Sequence, residues 1–127
     1  MTYEEVLHFM RDTFPEWWDG HLSEFEEEGS GSCHMAAGTL VGLIGEAMAL
    51  GAKQFADRAA AFADRLAESE DPRVENLLYV SFFENMDHMR LDDLRLIAER
   101  LSPRARGMLS EMVPEVDAPI GRPSRRK

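Results

Sequence analysis

The sequence predicts an all-α protein, a compact bundle or two-layer stack of five to seven short antiparallel helices. Three observations lead there. Apolar residues recur at helical spacing over most of the chain, and cap and turn residues divide that pattern into short segments. The one β-like run, Leu77 to Phe83, has no second such run to pair with. With 44% hydrophobic and 30% charged residues, 127 residues suffice for one core without covalent or metal staples. A single domain is expected over 1–113, followed by a flexible basic tail over 114–127 that contains three prolines and ends Arg125-Arg126-Lys127.

The elements follow in order. Thr2 and Glu5 have capping-box spacing, and Tyr3, Val6, Leu7, Met10 and Phe14 then share one face. Pro15 suits the first turn of a short second helix running towards Glu28. Residues 29–32, Gly-Ser-Gly-Ser, interrupt the pattern. Ser32 caps a helix over about 33–50, which Gly51 terminates. Another helix occupies about 53–69, its apolar face formed by Phe55, Ala59, Phe62, Ala63 and Leu66. Asp71-Pro72 starts the next, with Asp as cap and Pro in the first turn. It runs through Leu77–Phe83 as a central helix, because polar residues 84–88 continue it without a break. Leu91, Leu94, Ile97, Ala98 and Leu101 mark a further helix, and Ser102-Pro103 opens the last, carrying Ala105, Met108, Leu109 and Met112.

Several residue groups invite a chemical reading, and none is complete. Glu84 and His88 share a helical face beside Asp87, which could begin a metal site, with His34 or Glu46 as conceivable partners. The paired Glu-x-x-His repeats of helical di-metal sites are missing, so no metal ligand is assigned. Cys33 and His34 are neighbours in sequence, but nothing identifies the third group that a nucleophile–base pair requires. Cys33 at a helix start is expected to be somewhat acidified and otherwise a spectator. Gly38, Gly42 and Gly45 lack the Gly-Lys-Ser/Thr of a phosphate loop and are expected to let a neighbouring helix approach closely. No catalytic residue and no cofactor is expected, and the chain is not expected to be an enzyme.

Charge is the one signal above background. The net charge is −10, and residues 1–28 contribute −8 of it, from nine acidic residues against Arg11. Both tryptophans lie in that segment. Trp17 and Trp18 point about 100° apart on a helix, so one of them should remain accessible. Such a surface suits a basic protein partner: aromatic side chains supply buried area, while carboxylates steer encounter and pair with Lys or Arg. The expected interface is Trp17, Trp18, Asp19, Glu24, Glu26, Glu27 and Glu28. Nucleic acid and anionic membrane are disfavoured as partners by like-charge repulsion. The N-terminus lacks the basic start and apolar run of a signal peptide, and the single cysteine allows no internal disulfide; a cytoplasmic location is expected.

The run Val74-Glu75-Asn76-Leu77-Leu78-Tyr79-Val80-Ser81-Phe82-Phe83-Glu84-Asn85-Met86 carries the pattern V-x-N-x-x-x-V-S-F-x-E-N. It resembles a hallmark of small helical bacterial proteins similar to the immunity proteins of polymorphic toxin systems. A weaker likeness in helical pattern and order extends over roughly residues 34–101. The resemblance implies a protein that binds and neutralises a cognate toxin, and the acidic segment then suggests a basic toxin domain such as a nuclease. A regulatory or adaptor domain that binds a cellular protein would present the same surface. In either case Asn76 and Ser81, polar within an apolar helix, should bond to facing backbone groups.

Overall fold

Gly51 and Asp71 set two of the sharpest breaks in the chain. Gly51 adopts φ +107°, where a Cβ is disfavoured. Its N–H reaches Met48 O at 3.0 Å, and Ala52 N–H reaches Ala47 O at 2.9 Å. These paired bonds close a helix that would otherwise leave its last carbonyls bare. Asp71 caps the central helix, its carboxylate accepting from Arg73 N–H at 2.9 Å with Pro72 in the first turn.

The structure is a computed structural model that describes residues 1–27 and 32–117. Among the described residues six α-helices form the body: α1 (Val6–Thr13), α2 (Ser32–Ala49), α3 (Phe55–Ala67), α4 (Pro72–Leu77), α5 (Leu91–Arg100) and α6 (Pro103–Met112). Helix α4 continues without a break through a π-helical turn at Leu78–Phe83 and a 3₁₀ turn at Glu84–His88, giving the expected central helix over 72–88. There is no strand among the described residues, and the protein is all-α. No helix among them is long and apolar enough to cross a membrane.

The central helix lies against α2 and α6, while α3 packs on α5. Leu77, Leu78, Phe82 and Phe83 are all fully buried. They face the core from more than one side of the helix, which explains why the run reads as continuously apolar. Phe62 of α3 occupies the centre of an aromatic cluster. Its ring stacks on Phe9 at 5.3 Å and meets Phe14 and Phe82 at 5.8 and 5.4 Å.

The π turn has its own fastenings. Where the pitch changes from π to 3₁₀, Asn85 Nδ2 donates to the carbonyl of Ser81 at 2.6 Å. Ser81 is buried, and its Oγ lies 2.5 Å from His34 Nδ1 on α2. Ser81 therefore bonds to a side chain, not to the facing backbone as expected, and Asn76 is exposed and bonds to neither. Gly38 and Gly45 permit the close approach of α2 to this region. A Cβ at Gly38 would lie 3.2 Å from Asn85 Nδ2, and one at Gly45 would lie 3.2 Å from Met89 Cγ.

The polypeptide packs beyond the boundary expected at Val113. Pro114–Asp117 forms a 3₁₀ turn with Val113 and Val116 buried, and Asp117 pairs with Arg106 at 2.9 Å. Two valines three residues apart outweigh the prolines around them, because together they cover the α5–α6 face. The rest of the expected tail, 118–127, lies outside the described residues.

Asp71 also ties the N-terminus to the α3–α4 junction. Its carboxylate accepts from Tyr3 N–H at 2.9 Å and from the Arg73 guanidinium at 3.0 Å, and Ser69 Oγ donates to Met1 O. The Arg73 side chain and the two backbone N–H groups hold the Asp71 carboxyl down at about 2, below its ordinary value of 3.8. A depressed folded-state value contributes stability that is present above 3.8 and lost as the pH falls towards 2. Urea denaturation at stepped pH is expected to show this loss in the wild type and a flatter dependence over the same window in Asp71→Asn.

Candidate functional site

The acidic segment is built from three short turns, not from the continuous helix its sequence suggests. Pro15–Trp17 and Ser23–Glu27 are 3₁₀ turns, and Trp18–Leu22 between them contains a kink. Asp19 has ψ 130° and Gly20 has φ 87°, so the chain reverses locally where only glycine carries no steric penalty. Phe14, Leu22 and Phe25 are buried beneath the segment and hold it on the core. Asp19, Glu24 and Glu26 are exposed on its outer side.

Both indoles are half-buried. Trp17 stacks on Phe55 at 4.6 Å and on Phe14 at 5.7 Å, which fixes its ring to the α3 side of the core. Trp18 has the Arg11 guanidinium 5.9 Å from its ring centroid. Trp17 thus supports the segment from below, and Trp18 is the more loosely held indole. The Glu27 side chain and Glu28 lie outside the described residues.

Much of the N-terminal charge is used within the chain. Glu4 pairs with Arg73 at 2.9 Å, and Asp12 with Arg11 at 3.7 Å. Glu5 accepts from Thr2 N–H at 2.8 Å, completing that half of the expected capping box. Glu16 receives both guanidinium arms of Arg58, each at 2.6 Å. These bonds hold the Glu16 carboxyl below its ordinary value. Asp19, Glu24 and Glu26 have no ion-pair partner among the described residues. The carboxylates still available to a partner therefore gather between residues 19 and 26.

Arg58 is the residue that sequence inspection missed. It lies outside the apolar set of α3, yet it fastens the segment to the core. Besides Glu16 it donates to Thr13 O, and its guanidinium lies 5.0 Å from the Phe14 ring and 5.1 Å from Phe55. An arginine three residues after an aromatic on one helix is a visible signal for stacking. Its partner 42 residues away is not.

The other candidates stay apart. Glu84, Asp87 and His88 are exposed, and no three His, Cys, Asp or Glu side chains among the described residues converge as metal ligands. Cys33 is buried, and burial pushes its thiol up, against the acidification expected at a helix start. Along α2 the glycines border an open cavity of about 360 Å³, whose far wall includes His88 and Arg90.

A family model described as a domain of unknown function, DUF7674, matches residues 4–111. The chain belongs to the DUF7674 family. The matched region runs from the capping-box turn nearly to the end of α6, so the acidic segment lies inside the DUF7674 domain. No curated protein and no solved structure matches the chain.

Proposed function

We propose that this DUF7674 protein is an immunity-type binder that neutralises a basic toxin domain, of the nuclease class, through the surface around Trp18, Asp19, Glu24 and Glu26. One observation carries the reading: Glu4, Asp12 and Glu16 pair with arginines of the chain itself, whereas Asp19, Glu24 and Glu26 are exposed and have no cationic partner among the described residues. A nuclease cleft is basic because it holds phosphates, and carboxylates on a fixed surface can occupy it in their place. Trp18 beside them offers apolar area that the electrostatic contacts would surround. Glu27 and Glu28 add charge at the same end of the sequence, and Trp17 supports the surface from the core. No catalytic group of this chain takes part.

The test is charge removal with shape preserved. Asp19→Asn, Glu24→Gln and Glu26→Gln, combined in one variant, should lower the association rate constant for the cognate partner by about tenfold at low salt and flatten its salt dependence. Stopped-flow or surface-based kinetics at two ionic strengths would read both. An unchanged rate at low salt would place the interface elsewhere.

A further inference from the structure

We propose a second site, separate from the acidic segment: the cavity between α2 and the end of the central helix binds a small zwitterion, a free α-amino acid or a molecule with the same paired groups. The cavity, about 360 Å³, is of a size that accepts a small molecule. Part of its space lies over Gly42, which has no side chain to fill it. A Cβ on Gly42 would meet nothing within 4 Å. Val41 and Met89 supply an apolar floor.

The walls carry the argument. Arg90 lines the cavity on one side, next to His88, and Glu46 lines it on α2. Arg90 and Glu46 do not pair with each other. In this chain 24 acidic side chains compete for 14 Lys and Arg, so an arginine without a carboxylate is unexpected. Among the described residues Arg90 is the one Lys or Arg whose side chain has no ion pair, hydrogen bond or ring contact. Its backbone is held by the start of α5, where its carbonyl accepts from Leu94 N–H at 2.9 Å. Opposed unpaired charges select for the ligand's chemistry. A simple anion would satisfy Arg90 and be repelled by Glu46, and a simple cation the reverse. A carboxylate and an ammonium in one molecule satisfy both, with the guanidinium able to grip the carboxylate through two N–H groups.

The test uses the full chain, ¹⁵N-labelled, titrated with a panel of free α-amino acids and with the N-acetyl and amide derivative of each. The site predicts saturable amide shifts at Gly42, Gly45 and Arg90 for at least one free amino acid. Blocking either charged group should weaken binding at least about tenfold. Arg90→Gln should weaken it similarly, and Gly42→Leu, whose side chain enters open space, should abolish it while the remaining spectrum stays folded. Three results would each overturn the proposal: no saturable shift with any free amino acid up to about 10 mM, a limit weaker than a useful site; blocked forms binding as well as free ones; or undiminished binding in Arg90→Gln or Gly42→Leu.

Discussion

Phe62→Ala is expected to destabilise the protein by about 4 kcal/mol, the range for deleting a buried ring that leaves a cavity behind. Phe62 is fully buried and touches rings from three separate parts of the chain: Phe9 of α1, Phe14 just beyond it and Phe82 of the central helix. None of these can collapse into the space without giving up its own contacts. The loss is a large share of the roughly 5–15 kcal/mol that holds a domain of this kind together. Urea unfolding followed by circular dichroism should show the midpoint fall sharply with little change in slope. A cost below about 1.5 kcal/mol would mean that the aromatic cluster is not the centre of the core.

Arg58→Ala should cost about 2 kcal/mol, and its effect should be local before it is global. The Glu16 fork is partly exposed, with Arg58 and Glu16 side chains 32% and 44% accessible, so screening leaves it at under about 1 kcal/mol. The bond to the Thr13 carbonyl and the stacking on Phe14 and Phe55 account for the larger remainder. Arg58→Lys should restore little, since an ammonium can neither fork to both Glu16 oxygens nor stack as a plane. Without Arg58 the segment over residues 13–18 loses its main polar fastening, and the Phe14 and Phe55 rings that stack on Trp17 lose their flanking cation. Tryptophan emission should shift to the red at denaturant concentrations where helical ellipticity is still native. Coincident loss of both signals would show that Arg58 does not control the segment separately.

These two residues illustrate what the sequence makes legible. Phe62 belongs to an apolar face that repeats at three and four residues, so its burial follows from spacing alone. Gly51, Asp71-Pro72 and Ser102-Pro103 mark helix ends through local chemistry, and the structure has its breaks there. Arg58 has no local signal for Glu16, because that contact exists only once α3 and the acidic segment are side by side. The kink at Asp19–Gly20 is similar: helical propensity and Pro15 favour a continuous helix, and the burial of Leu22 and Phe25 overrides them. The π turn at Leu78–Phe83 depends on Ser81, Asn85 and His34 meeting across two helices. That gives V-x-N-x-x-x-V-S-F-x-E-N a physical meaning for its serine and final asparagine, whereas the exposed Asn76 and Glu84 take no part in it.

The site divides the same way. Carboxylate number can be counted along the chain, but which carboxylates remain available depends on pairing in three dimensions. Arg73 and Arg58 withdraw Glu4 and Glu16 from the surface field, and both arginines come from distant helices. Arg90 stands out by the converse test, since no sequence rule marks an arginine that finds no partner.

The most direct measurement is affinity capture from the native host in low salt, with tagged wild-type protein and the Asp19→Asn, Glu24→Gln, Glu26→Gln variant run in parallel and the eluates compared by mass spectrometry. The account predicts that a basic toxin domain is recovered on the wild type and is strongly depleted on the variant. Recovery of the same proteins in equal amount on both, or of cellular proteins with no toxin among them, would contradict it.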